Sequence, residues 1–203
     1  MYKLSYFTEQ DPAVVLAFMK AYPFAVVTAA GKDYPVATHL PLAIEEIESK
    51  MVFTGHIMRN TDHHKAFTNN DRVLVIFNGP HCHVSAGWYP NPHLASTWNY
   101  ISVHAKGRIS FVSESETMKI IEDITIKYEG AESGSSFQNI PEEYKERLVK
   151  AIVGFTIQVD SYENVFKLSQ NHNEETKESI VSHLEARGDD NAVAIALEMR
   201  KRR

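Results

Sequence analysis

Ten histidines in 203 residues make metal binding the first chemistry to weigh. Two clusters carry the spacing: "DHH", with His63 and His64 after Asp62, and "HCH", with His81 and His83 around Cys82. Residues two apart share one face of a strand, so His81 and His83 are compatible with a metal pair. Spacing assigns no third ligand, however, and neither C-x-x-C nor H-E-x-x-H occurs. Histidines at a loop edge are the simpler reading, and no metal site is assigned. Nucleophilic catalysis is no better provided for. Cys82 is the one cysteine and reads as a small buried residue, and neither G-x-S-x-G nor a Walker pattern is present. The acidic pairs Glu45–Glu46 and Glu142–Glu143 fall in turns or first helical turns, where solvation or the helix dipole accounts for them.

Phosphate chemistry has more to stand on. In "FTGHIMRNTDHHKAF" a strand is expected to end near Ile57 and a helix to begin near Thr61. Arg59, Asn60 and Thr61 then occupy the corner, where the guanidinium fork and the free N–H groups of a helix N-terminus suit an anion. Gly55 either allows close backbone approach or marks a bulge. In "PVATHLPL", Thr38 and His39 interrupt an apolar strand with a hydroxyl and an imidazole. Trp98, Asn99 and Tyr100 add an aromatic surface and an amide. A flat, polar-edged ligand bearing a phosphate is the coherent reading of these groups.

A third stretch is unusual for its second face. Along "STWNYISVHAKGRISFVS", residues 96–113, the odd positions Ile101, Val103, Ala105, Gly107, Ile109 and Phe111 form a core face. The even positions Trp98, Tyr100, His104, Lys106 and Arg108 lie on the opposite side of the sheet. Large aromatic groups beside His and Lys do not make an ordinary solvated face. Asn99 falls on the core side.

The elements that would position these groups follow from pattern and punctuation. "DPAVVLAFMKAYP" reads as a short helix capped by Asp11 with Pro12 in its first turn. "FAVVTAA", "PVATHLPLAIE" and "MVFTGHI" read as strands, "TDHHKAFTNN" as a small helix, and "RVLVIFNG" as a strand apolar on both faces and hence fully buried. Residues 23–113 thus hold about six strands, with tight connections that favour antiparallel pairing. "SESETMKIIEDITIKYE" carries a capping box, Ser113 with Glu116. "PEEYKERLVKAIV" is a further helix, "GFTIQVDSYENVFKLSQN" is expected to be a strand pair, and two short helices separated by Gly188 close the chain. The architecture expected is a β-barrel or curled sheet decorated by helices, an α+β arrangement.

Composition bounds the function classes. Hydrophobic residues at 43% and charged residues at 23% are those of a globular protein, not a disordered or fibrous one. No apolar run is long enough to cross a bilayer, the N-terminus lacks a signal peptide's apolar core, and a single cysteine suits a reducing compartment, so a cytoplasmic location without membrane association is expected. A net charge of −5 gives no footprint for nucleic acid, and the basic "MRKRR" end reads as a solvated tail.

Seven segments in order, "PFAVVT", "PVATHLPL", "GHIMRN", "VLVIFNGPHCHVSAGWYP", "TWNYISVHAKG", "AIVGFTIQV" and "FKLSQN", resemble the PaiB family of FMN-binding negative transcriptional regulators over essentially the whole chain. The chain departs from the family's usual pattern at Asn60–Thr61, at His83 and Gly87, and around Phe137. The resemblance implies an FMN-binding split β-barrel over residues 1–170, a helical extension over 171–203 packed on it, and a homodimer with FMN in clefts at its interface. It implies that Thr38, His39 and Leu40 line the isoalloxazine, and that Gly55, His56, Arg59 and Asn60 grip the phosphate and ribityl chain. Trp98 and Asn99 are implied as cleft residues from the facing subunit, with Lys167 and Gln170 as neighbours. The aromatic even face of residues 96–113 is then expected to line that interface or cleft.

For function, the resemblance implies a flavin-binding regulator, with DNA or another regulatory partner as its target. The alternative is an FMN-dependent oxidoreductase acting on a small molecule, with His39, His56 or His104 moving protons. A split barrel holding haem on a histidine is the third reading. No catalytic residue is assigned.

Overall fold

A computed structural model describes residues 1, 4–48, 50–91, 93–130 and 132–202. Alternation of apolar and polar residues produces seven strands: β1 (Phe24–Ala29), β2 (Val36–Pro41), β3 (Ala43–Ile47), β4 (Lys50–Met58), β5 (Arg72–Val84), β6 (Thr97–Phe111) and β7 (Ile152–Lys167). They form one curled sheet in the order β2-β1-β5-β6-β7-β4-β3. The helices are α1 (Pro12–Ala21), α2 (Asp62–Asn69), α3 (Glu114–Glu129), α4 (Glu142–Ala151), α5 (Glu174–Arg187) and α6 (Asp190–Arg200).

The chain divides into two compact units. The central unit comprises Pro23–Phe77 and His104–Tyr162, and the terminal unit comprises Met1–Tyr22, Asn78–Val103 and Glu163–Arg203. In the central unit one face of the sheet buries Ala25 and Val27 of β1, Phe53 and Ile57 of β4, Val75 and Phe77 of β5, and Phe155 and Ile157 of β7. Phe53 and Phe77 meet edge to face at 5.3 Å. The outer side of β4 and β7 is covered by α3, whose capping box forms as expected, with Ser113 and Glu116 each accepting from the other's backbone N–H. Fully buried Thr117 fixes that helix: its hydroxyl accepts from Gly154 N–H at 2.9 Å and donates to Ser113 O at 2.8 Å. Ile121, Phe137, Val149 and Ile152 form a satellite core beneath α3 and α4.

In the terminal unit, α1 starts where Asp11 accepts from Ala13 N–H, and Phe18 packs edge to face on Phe166 at 5.5 Å. Asn173 caps α5 and Asp189 caps α6, with Gly188 between them in the left-handed region. The two helices bury Ile180, Val181 and Leu184 together with Ala192, Ile195 and Met199.

Two expectations from sequence need correction. Residues 152–167 are one strand, not a strand pair. A tight hairpin needs positive φ at its turn, and no residue in this span has it; the polar stretch Asp160–Tyr162 stays extended with its side chains at least partly exposed. The start of β5 is also not buried on both faces. Val73, Val75 and Phe77 are buried, whereas Leu74 and Ile76 are half-exposed. They pair across the sheet with Thr28 and Val26, next to Phe24, which is 63% exposed and stacks on His39 at 6.2 Å.

Replacing Thr117 by Val keeps its volume but leaves Gly154 N–H buried without an acceptor. A loss of about 1–3 kcal/mol is expected for such a group, read as a lowered urea midpoint with an unchanged slope.

Candidate cofactor site

The corner between β4 and α2 forms as the sequence suggests. Arg59 N–H donates to Ala151 O at 2.9 Å, which ties the corner to the end of α4. Asn60 then takes φ of 66°, a left-handed conformation that Asn tolerates better than most residues. Thr61 caps α2, accepting from His64 N–H at 3.3 Å and donating to Met58 O at 3.0 Å. The open helix N-terminus inferred from sequence is partly closed from within, because Asp62 accepts from His63 N–H at 2.7 Å. The Arg59 guanidinium, half-buried, has no carboxylate partner among the described residues. His64 accepts from Asn60 N–H on Nδ1, and its pKa is lowered by burial first and then by Arg59, His63 and Lys65. It is therefore a neutral ring at the edge of a cationic corner.

β2 lies at one edge of the sheet and is paired only with β1, so one row of its backbone groups is available to a ligand. Val27 faces Thr38, Val26 faces His39 and Ala25 faces Leu40. Leu40 is buried, Thr38 half-buried and His39 exposed. The tertiary fold brings β2 against both α2 and β4. Gly55 is where this approach is closest: a Cβ there would stand 2.9 Å from Phe155, 3.0 Å from Leu40 and 3.1 Å from Leu42. Gly55 and Leu40 thus belong to the core and set the spacing of the strands, while Thr38, His39, Arg59 and Asn60 carry the polar groups around it. His56 points to the face opposite Gly55, and its Nδ1 is buried with no hydrogen-bond partner. Burial lowers its pKa.

His104 lies in the central unit, while Trp98, Asn99, Lys167 and Gln170 lie in the terminal unit. Trp98 is 54% exposed, with the His81 and His83 rings 6.3 and 5.9 Å away. Asn99 follows the alternation and is fully buried. Its amide donates to Ser169 Oγ at 3.0 Å, and that hydroxyl donates back to Asn99 Oδ1 at 3.1 Å. Gln170 is used locally: its carbonyl accepts from Leu168 N–H at 2.7 Å and its amide donates to Phe166 O. Lys167 extends along β6, donating to Thr97 Oγ1 at 2.5 Å and Trp98 O at 2.6 Å. Cys82 is buried and its thiol is pushed up to about 11 by burial, which makes it unreactive at neutral pH.

Sequence reasoning missed Tyr89, Ser169 and His172. Ser169 has φ of 63°, and Tyr89 stacks on His172 at 5.0 Å. Only the polar run "KLSQNH" signals this turn, since serine is not a residue that advertises a left-handed conformation.

His56 supplies a pH test. Its folded pKa lies below the unfolded 6.5, so the unfolded chain binds the proton more readily, and stability falls as pH drops below about 6.5. Denaturation midpoints taken between pH 7.5 and 5.5 are expected to fall, and to fall less in His56→Gln.

Comparison with known proteins places the chain in a family. A family model described as "Putative FMN-binding domain" matches residues 1–161. The chain is 30% identical over 200 residues to "Protease synthase and sporulation protein PAI 2" of Bacillus subtilis, covering 97% of this chain and 95% of that protein. Among solved structures, the flavocytochrome Anf3 from Azotobacter vinelandii has TM-score 0.63 at 16% identity, covering 88% of this chain and 78% of that one. The FAD and heme binding protein from Mycobacterium smegmatis has TM-score 0.57 at 12% identity, covering 90% and 80%. The split-barrel fold is common to them, and the chain belongs to the FMN-binding domain family of PaiB type, whose cofactor is FMN.

Proposed function

We propose that the β2 edge and the β4–α2 corner of the central unit hold FMN. The observation that carries this reading is the Arg59 guanidinium, standing without a carboxylate partner among the described residues at a corner beside an unpaired strand edge. The residues fit the group. Arg59 and the Asn60 side chain suit the phosphate, and Thr38, His39 and the β2 backbone suit the polar rim of a flat ring. FMN, when bound, supplies one- or two-electron redox chemistry. The chain's own part is to bind and orient it. Burial disfavours the charged form of His56, whose ring lies on the other face of β4. Leu40 and Gly55 set the depth of the site from behind. In the terminal unit, Trp98 is the exposed residue of the proposed cleft, half-buried Lys167 is its neighbour, and Asn99 and Gln170 position the turn that carries Lys167.

The working form is proposed to be a homodimer. Phe24, Val26, Leu74 and Ile76 leave an apolar strip open on the outer sheet face of the central unit, and exposed apolar strips of this kind commonly mark interaction surfaces. Trp98 and Tyr100 do the same in the terminal unit.

A regulatory role, which the resemblance to the PaiB family implies, is proposed to act through partners or flavin state and not through direct DNA contact. The basic C-terminal residues that are described are already paired: Arg200 with Glu185 and Glu178, Lys201 with Glu198, and Arg202 with Glu198 and Glu9. The α5–α6 pair buries its apolar faces as core. No described helix is long and apolar enough to cross a membrane, and the cytoplasm is the proposed location.

Arg59→Ala should weaken FMN retention by about 1.5–3 kcal/mol, the range for a hydrogen bond to a charged group. Flavin absorbance per chain after dialysis reads this, and unchanged content would remove the assignment. Phe24→Lys should convert a dimer into a monomer in light scattering, since each Phe buried at an interface contributes about 1.5–3 kcal/mol. A parent protein that is itself monomeric would refute the dimer.

A further inference from the structure

We infer that a cavity in the terminal unit binds a small aromatic anion, with the Lys167 ammonium reading the negative charge. The cavity has a volume of about 300 Å³, and Tyr6, Phe7, Tyr89, Thr97, Lys167 and His172 lie around it. Its walls are aromatic. Tyr6 and Phe7 meet edge to face at 4.5 Å, and Tyr89 and His172 stack at 5.0 Å with 25° between their planes. No Asp or Glu lines it, and Lys167 forms no ion pair with a described residue.

The ammonium is oriented before any ligand arrives. Of its three N–H groups, two are committed to Thr97 Oγ1 and Trp98 O on β6, which leaves one over. Nζ stands 5.8 Å from the centre of the Phe7 ring. Behind it, the Asn99–Ser169 pair holds the left-handed turn at Ser169 that brings Lys167 and His172 to one cavity. Burial lowers the pKa of Lys167, and that of His172 is lowered by burial and then by the Lys167 and Lys177 charges. The Lys167 charge disfavours protonation of His172, and an anion beside both relieves that cost. A volume of this order holds a single-ring acid, at the small end of ligand pockets. The inference stands on the terminal unit alone and does not depend on where the flavin is held.

The test is calorimetric titration of the full-length protein, as purified, with benzoate, phenyl phosphate and benzyl alcohol. One of the two anions is expected to saturate at one per chain, the better one naming carboxylate or phosphate, while neutral benzyl alcohol does not bind. Lys167→Gln, which keeps a polar head near Thr97 and removes the charge, should weaken the anion by about 10-fold or more, with the melting temperature of the parent. Should that variant melt early, His172→Gln carries the test, and it too must weaken the anion. The inference is overturned if neither anion binds, if benzyl alcohol binds equally well, or if both substitutions leave affinity unchanged. It is also overturned if the anion expels flavin, which would make the cavity part of the flavin site. Loss of the Arg59 effect on flavin content, by contrast, bears on the FMN assignment and not on this one.

Discussion

Where β2 passes β4, a methyl group at position 55 would stand about 3 Å from Phe155 and from both leucines of "THLPL". Its absence lets the two strands close on one another. With that approach, Thr38 and His39 come to lie on a strand that packs against both β4 and α2, the elements flanking Arg59 and Asn60. A side chain there would push β2 outward, because the neighbours it meets are themselves buried core. The polar groups proposed to hold FMN are thus spaced by an apolar contact that none of them makes.

The corner itself is built from short-range parts. Thr61 and Asp62 satisfy backbone N–H groups at the start of α2, Asn60 absorbs the left-handed turn, and Arg59 is tied by its backbone to Ala151. Each tie frees the Arg59 side chain from structural duty. An arginine with no carboxylate partner among the described residues, in a chain of net charge −5, is the group proposed to take the FMN phosphate.

The terminal unit repeats this division of labour. Asn99 and Gln170 have their hydrogen bonds consumed inside the fold, and what they hold in place is the turn that presents Lys167 and His172. A buried asparagine on the core face of a strand is costly unless its amide is matched. The reciprocal bond to Ser169 is the match, and it fixes a serine in a conformation it would otherwise avoid. Meanwhile Arg200, Lys201 and Arg202 of the basic tail, the one sequence feature that points toward nucleic acid, pair with Glu9, Glu178, Glu185 and Glu198.

Much of this was legible before any coordinates. The alternation in residues 96–113, the caps at Asp11, Thr61 and Ser113, and the strand-to-helix corner at Arg59 depend on residues within a turn of one another, and local chemistry decides them. The order of seven segments was enough to indicate the family. What local chemistry could not decide was which distant strand each face would meet. The open outer face of Leu74 and Ile76, the unbroken run of β7 through Asp160, and the burial of Asn99 against Ser169 all depend on partners far away in the chain. Gly55 shows the difference most plainly: its sequence neighbours allowed ligand approach or a bulge, and only the packing of Leu40, Leu42 and Phe155 around it made it a spacer in the core.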